Sequence, residues 1–449
     1  MKRKLLQIFI NLLLISQLAN AQSILEKYIA HGLQNSESIN QQNFVIQKSL
    51  LALDEAKTMF FPKVSFLSNY FLAAGGRTVD FPVGNILNPV YSSLNQLTGS
   101  SNFPQIENQS ILLNPNNFYD VKFRITYPII NQEIKYNKGI KELQASLKQI
   151  EINIYKRELV KDIKTAYYKY IQATEAIKIY EAAMKLVQEN SRINKVLLKN
   201  DKVNKTVVLR SDNEVNKNQS QVEVAKQNQK SALAYFNFLL NKPLTETIII
   251  DSIYNKPSVE FLKDSTVNNR EELKNLSNAK SINNEVISLS RSTLQPRLNT
   301  FIDVGSQDFD FKINRKSPYV FFGLALEWDV FTGGKNKLKI KQAEMDNNII
   351  ASQTDYAESQ LKLQLNNNLN AFTALLLQYD FSLLQEKMSE QFSNDIMKIY
   401  KQGQVLFIEL LDAQNQLINA KIQSNIALYD AWIKAAEIER ANASFTLNN

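Results

Sequence analysis

Apolar positions recur with two different periods along the chain, and each change of period marks a boundary. From Asn131 to about Leu198, and again from Gly334 to Lys401, the spacing is close to 3.6 and the composition is rich in Lys, Glu, Gln, Leu, Ile and Ala. Each stretch holds 68 residues. As a helix each would run ~100 Å at 1.5 Å per residue. Helices of that length cannot be buried in one globule, so they must lie along one another as coiled coils. Each is followed by a short polar break and a returning helix, predicted over Lys205 to about Leu240 and Leu406 to about Ser444, so that two helical hairpins form.

Between the hairpins the period falls to two. From Tyr319 to Phe331 the even positions Val320, Phe322, Leu324, Leu326, Trp328 and Val330 are apolar, against Gly323, Ala325, Glu327 and Asp329. Tyr119, Val121, Phe123, Ile125 and Tyr127 alternate with Asp120, Lys122, Arg124 and Thr126; Leu298, Thr300, Ile302 and Val304 alternate with Arg297, Asn299 and Asp303. Val64, Phe66 and Tyr70 alternate with Lys63, Ser65 and Asn69. Strands are therefore predicted at about 62–72, 118–128, 296–305 and 319–331. A half-buried sheet in a soluble domain would show such alternation. Strands of roughly ten residues with aromatic ends also suit a membrane barrel, each being long enough to cross hydrocarbon at a tilt. Four strands cannot close, and open edges are not viable in lipid, so other copies must supply the rest; three chains give twelve strands, an even number.

The chain states this pattern twice. Asn35-Ser36-Glu37-Ser38-Ile39 returns as Asn269-Arg270-Glu271-Glu272-Leu273, and Pro62-Lys63-Val64 as Pro296-Arg297-Leu298, both displaced by 234 residues. Ile125-Thr126-Tyr127 corresponds to Leu326-Glu327-Trp328 at 201, and Lys199 to Val215 corresponds to Lys401 to Leu417 at 202. The drop from 234 to 201 places 33 extra residues in one strand connection, within 74–117. The organisation is a duplicated helix-strand-strand-helix-helix unit of α+β class: a first repeat over 22–240, a linker over 241–268 and a second repeat over 269–449. Hairpin tips fall at about 199–204 and 401–405.

Breakers support the division. Six of the ten Pro lie between Pro62 and Pro128, and Gly is absent from Ile140 to Val304 and from Lys335 to Gln402. Residues 1–21 read as a signal peptide, with a basic start at Lys2-Arg3-Lys4, an apolar run from Leu5 to Leu14 and Ala19-Asn20-Ala21 before the cleavage point. Its removal lowers the formal charge from +8 to +5, a modest excess, and no Lys/Arg block interleaves with aromatics, so nucleic acid is not an expected partner. The chain has no Cys, which excludes disulfides and thiolate metal sites. His31 is the sole His, no Gly-rich phosphate loop follows a strand, and no catalytic constellation or metal site is expected.

Leu326-Glu327-Trp328-Asp329-Val330-Phe331-Thr332-Gly333-Gly334-Lys335 resembles the strand-to-helix junction of the TolC-like outer membrane efflux proteins. Tyr400-Lys401-Gln402-Gly403 with Glu409-Leu410-Leu411-Asp412-Ala413-Gln414 resembles that family's second hairpin tip. The resemblance covers essentially all of the chain after residue 21. It implies a homotrimeric channel: a twelve-stranded β-barrel in outer-membrane lipid, continued into the periplasm by an α-helical coiled-coil barrel. It further implies passive conduction of substrates from an inner-membrane transporter of RND or ABC type through a periplasmic adaptor (membrane fusion protein), in efflux or type I secretion, with no cofactor.

The resemblance also assigns residues. Glu409 and Asp412 share a helix face just after the tip; in a trimer they would set six carboxylates around the periplasmic gate, attracting cations and making the mouth cation-selective and pH-sensitive. Tyr400 fits the tyrosine of the family's latch, but the latch arginine and acid are replaced by Val405 and Val207, while Arg210 stands at the first-repeat equivalent of Asp412 and could pair with it. A closed tip without the usual polar latch is expected. Adaptor contact is expected at Asn200, Asp201, Lys202, Gln402, Gly403 and Gln404, and the barrel lumen would receive Lys63, Asp120, Lys122, Arg124, Arg297, Asp303, Glu327 and Asp329. The long connection at 74–117 would face outward and cover part of the mouth. The competing reading is a periplasmic coiled-coil adaptor or scaffold without a membrane barrel.

Overall fold

The computed structural model describes residues 23–114, 116–251, 254–258 and 266–447. The signal peptide expected at 1–21 lies outside them, as do parts of the linker. In chain order the elements are α1 (Ile24–Asn35), α2 (Glu37–Thr58), β1 (Lys63–Phe71), β2 (Thr78–Phe81), α3 (Val83–Thr98), β3 (Gln109–Leu112), β4 (Phe118–Ile130), α4 (Gln132–Lys199), α5 (Lys205–Leu239), α6 (Glu271–Ser292), β5 (Arg297–Phe309), β6 (Pro318–Glu327), α7 (Lys335–Lys401) and α8 (Phe407–Ala441). They fall into two compact units. One comprises residues up to Leu51, Glu142–Asn283 and from Met345 onward; the other comprises Ala52–Lys141 and Asn284–Glu344.

The first unit is helical. α4 has 68 residues and α7 has 67, matching the expected lengths to within one residue. The one-residue difference has a local cause: Gly334 adopts φ +81°, a left-handed conformation that ends rather than starts a helix, so α7 begins at Lys335. At the matching position of the first repeat, the Asn131 side chain accepts from the Glu133 and Ile134 amides at 3.1 and 3.4 Å, capping α4. The main core packs α1 onto the middle of α4, the end of α5 and α8 through Ile29, Ile163, Tyr167, Phe236, Leu240 and Tyr429. Within 241–268, expected to be a linker, Ile248, Ile250 and Tyr254 pack against this core. Tyr254 donates to Asp251 at 2.9 Å, and the Asp251 amide donates to the Tyr167 hydroxyl at 2.9 Å. A second core joins α7 to α8 through Leu365, Phe372, Leu376, Ala435 and Ile438.

The second unit holds a four-stranded antiparallel sheet in the order β1-β4-β5-β6, leaving β1 and β6 as open edges. Its two hairpins share one register: Lys63 lies opposite Thr126 and Val64 opposite Ile125, as Arg297 lies opposite Glu327 and Leu298 opposite Leu326. Each pair maps onto the other at the displacements of the duplication. Two strand limits differ from expectation by more than two residues. β5 runs on to Phe309 because it stays paired to Phe118 of β4, and β6 stops at Glu327 instead of 331. The indole of Trp328 donates to the Leu294 carbonyl at 2.9 Å and draws the chain out of the ladder, so Asp329 lies beyond the strand. The connection at 74–117, expected to be a loop, contains α3 and a small β2–β3 ladder.

Candidate functional site

The four-stranded sheet has two chemically opposite faces because cross-strand neighbours share a side. On one face, Val64, Ile125, Ile302 and Phe322 form a row across all four strands, and Phe66, Phe123, Val304 and Val320 form the next. These eight side chains are 36–71% exposed. A continuous apolar surface of that breadth requires a covering medium.

The other face pairs its charges. Arg124 forks onto Asp303, Nε to Oδ1 at 2.7 Å and Nη2 to Oδ2 at 2.6 Å, in the geometry that makes guanidinium–carboxylate pairs strong. Lys122 donates to Asp120 at 2.7 Å and lies 3.8 Å from Asp303. Arg297 holds Glu327 at 3.0 Å, Glu133 at 3.3 Å and Asp329 at 3.7 Å. Six of the eight expected lumen residues thus lie on this face in two linked groups. Asp329 joins them from the strand-to-helix connection, and Lys63, on edge strand β1, is exposed and forms no ion pair among the described residues. The Asp120, Lys122, Arg124 and Asp303 group is neutral overall. Two residues absent from the sequence expectation complete it: Tyr319 donates to Asp120 at 2.5 Å, and the Phe301 ring lies 5.0 Å beneath the Arg124 guanidinium. Both occupy odd positions of their strands, a parity that identified this face.

At the hairpin tips the two turns are built alike. Asp201 at φ 54° and Gly403 at φ 76°, equivalent under the 202-residue displacement, each take the left-handed conformation that closes a helix. The Lys202 and Gln404 amides both donate back five residues, to the Leu197 and Ile399 carbonyls. Asn200, Asp201, Lys202, Gln402, Gly403 and Gln404 are all exposed.

Behind the turns, the two hairpins meet in a small core of Tyr400, Phe407, Leu410 and Leu411, against which Ile193, Leu197, Val207 and Val405 pack. Val207 and Val405, which the resemblance sets at the latch positions, thus pack into an apolar seam. Tyr400 donates to the Asn194 side chain, and Asn190 donates to Gln414 at 2.6 Å, so buried amides supply the polar contacts. Burial pushes the Tyr400 hydroxyl up, keeping it a neutral donor. Glu409 and Asp412 are exposed on one face of α8, and Asp412 accepts from Gln416 at 2.8 Å. Arg210 and Asp412, which could pair, are both exposed, and among the described residues no ion pair links them within one chain.

Among the described residues no cluster of three or more His, Asp or Glu could hold a metal ion, and no helix is long and apolar enough to cross a membrane. No family model and no curated protein matches the chain by sequence. Solved structures do match by shape. The outer-membrane channel OprN aligns over 94% of this chain and 90% of its own at 13% identity and a TM-score of 0.74. The outer membrane protein VceC of Vibrio cholerae aligns over 93% and 95% at 12% identity and TM-score 0.72, and the MtrE outer membrane channel of Neisseria gonorrhoeae over 93% and 88% at 15% and 0.70. The chain has the fold of these outer membrane channels, as its resemblance to the TolC-like proteins implied.

Proposed function

We propose that this protein is an outer-membrane exit duct: a homotrimer whose twelve strands close a barrel in lipid and whose helical hairpins extend into the periplasm. The two-faced sheet carries this reading. Its exposed apolar rows suit hydrocarbon, its opposite face is polar, and its open edges β1 and β6 need partners that only another chain can provide. The helices ask for the same neighbours. Ile349, Tyr356, Leu363, Leu377 and Leu384 recur on α7 at multiples of seven and are all more than half exposed, an unfilled coiled-coil seam. The channels that share the fold are described as outer membrane proteins, which supports the same location and a transport role rather than an enzymatic one.

The duct supplies no energy. An inner-membrane transporter of RND or ABC type and a periplasmic adaptor would deliver substrate, the adaptor meeting the exposed tip residues from Asn200 to Lys202 and Gln402 to Gln404. Glu409 and Asp412, repeated three times, would ring the periplasmic entrance with six carboxylates and favour cations. The neutral ion-pair belt in the barrel leaves substrate charge unselected at that level. The test is planar-bilayer conductance of the mature chain, wild type against Glu409→Ala/Asp412→Ala, over a range of divalent cation concentrations. A small cation-selective conductance, blocked by divalents and relieved by the double substitution, is expected. Conductance indifferent to the substitution would move the gate elsewhere. A protein that neither inserts nor shows heat-modifiable migration would favour the periplasmic scaffold.

A further inference from the structure

The long connection between β1 and β4 folds against the usual rule for a loop in water. α3 carries no charged residue over its 16 positions. Two of its Asn side chains point inward: Asn88 exchanges two hydrogen bonds with the Ile106 backbone at 2.8 and 3.0 Å, and Asn95 exchanges two with Phe103 at 2.8 and 3.1 Å. Gly84 completes that contact, since a Cβ there would lie 2.3 Å from the Ile106 carbonyl. The opposite side of the helix carries Ile86, Val90, Ser93 and Leu97, spaced i, i+4, i+7 and i+11 and so aligned within about 60°. Ile86, Val90 and Leu97 are 65%, 52% and 83% exposed. Asn88 and Asn95 are committed to the segment that follows, and the apolar stripe is left uncovered within the chain.

We propose that the occupant of this face is the same helix of neighbouring copies, so that three α3 helices meet and close the outer end of the duct. This inference rests on the trimeric exit-duct reading. Two observations select a second copy over the bilayer. A helix lying in the lipid interface presents Lys and Arg to the headgroups, whereas α3 has none and spends its polar side on its own chain. Its connection also springs from β1, the edge strand that must pair with the next chain, so the helix is tethered to the seam between copies. Chain order places it at the strand ends opposite those joined to α2 and α4, which is the outward end in this reading.

The chain's lack of Cys makes the test direct. Ser93→Cys and Leu97→Cys place one thiol per chain on the stripe, and Gln96→Cys places one about 80–100° away from it as a control. Facing helices bring such thiols within disulfide reach. Under mild oxidation the two stripe variants are expected to give a cross-linked dimer within the SDS-resistant trimer and to lose conductance, both reversed by reductant, while Gln96→Cys gives neither. A reduced, intact trimer in which Leu97→Cys reacts rapidly with a charged maleimide and never cross-links overturns the proposal in favour of a water-exposed loop. Protection from maleimide without cross-linking, together with quenching of a Leu97→Cys fluorophore by lipid-borne nitroxide, overturns it in favour of the bilayer. Loss of the trimer in the wild type as well would instead remove the exit-duct reading on which this inference stands.

Discussion

Replacing Leu410 by Ala should loosen the hairpin tip far more than replacing either exposed acid beside it. Leu410 is fully buried in the seam where the second hairpin meets Ile193, Leu197 and Val207 of the first. Truncating a buried Leu costs about 2–5 kcal/mol, from lost transfer energy plus the residual cavity. If the seam parts on opening, the open state does not keep that packing, and about 3 kcal/mol shifts the closed-to-open ratio on the order of 100-fold. Tyr400→Phe is the finer probe. It removes only the hydroxyl that bonds Asn194, whose other amide atom, Nδ2, is buried without a partner, so the whole Asn194 side chain becomes orphaned at a cost of about 1–3 kcal/mol. The assay is single-channel open probability in a planar bilayer, with thermal melting to confirm that the bulk of the hairpin remains intact. The expected order is Leu410→Ala above Tyr400→Phe above wild type. If both variants stay as closed as the wild type while melting normally, the seam does not hold the tip and the reasoning fails.

Two further outcomes concern stability. Glu272 is partly buried, which by itself would raise its pKa, but hydrogen bonds from Arg270 at 2.8 and 2.9 Å and from Arg440 at 2.7 Å hold it at about 2. A depressed carboxylate stabilises the fold above its ordinary pKa of 4.5, and that contribution fades as the pH falls through that value toward 2. Glu272→Gln should therefore cost about 2 kcal/mol at pH 7, discounted for its partial exposure, with the difference between the two unfolding curves closing below pH 4.5 in a thermal titration. In the sheet, Arg124→Leu leaves Asp303, whose side chain is 4% exposed, without its forked partner. The cost should be about 3–5 kcal/mol, read as a lower temperature for heat-modifiable migration, and Arg124→Leu/Asp303→Leu should recover much of it because the buried charge is gone.

The parts legible in the sequence are those governed by period and punctuation. α4 and α7 could be bounded because residues 140–304 and 335–402 hold no Gly and neither helix contains a Pro, and the face of each strand could be assigned by parity alone. What parity could not show was where pairing stops. β6 ends where the Trp328 indole finds the Leu294 carbonyl, and β5 persists because β4 stays beside it, both of which depend on residues distant in sequence. α3 was missed because a helix punctuated by Pro89 and rich in Asn and Ser has the composition of a loop; its stability comes from amide pairs to a segment that follows it. At the tip, the sequence offered Val207 and Val405 where the resemblance implies polar latch groups, but not the packing they enter. Val207 and Val405 carry no signal of their own until Tyr400 and Leu410 are seen beside them.

The shared register of the two hairpins has a consequence for what duplication permits. Because β1–β4 and β5–β6 present the same pairing geometry, either could occupy any place in a closed ring, and an assembly of unfused halves would repeat one set of side chains at every position. Fusion breaks that obligation. Alternate positions can diverge, and here they have: Val207 and Arg210 stand in one half where Glu409 and Asp412 stand in the other, and α3 occurs in only one connection. In the proposed trimer, a ring of six interchangeable places would thereby acquire two kinds of seat, one free to specialise in charge at the inner mouth and the other in a folded cover at the outer one.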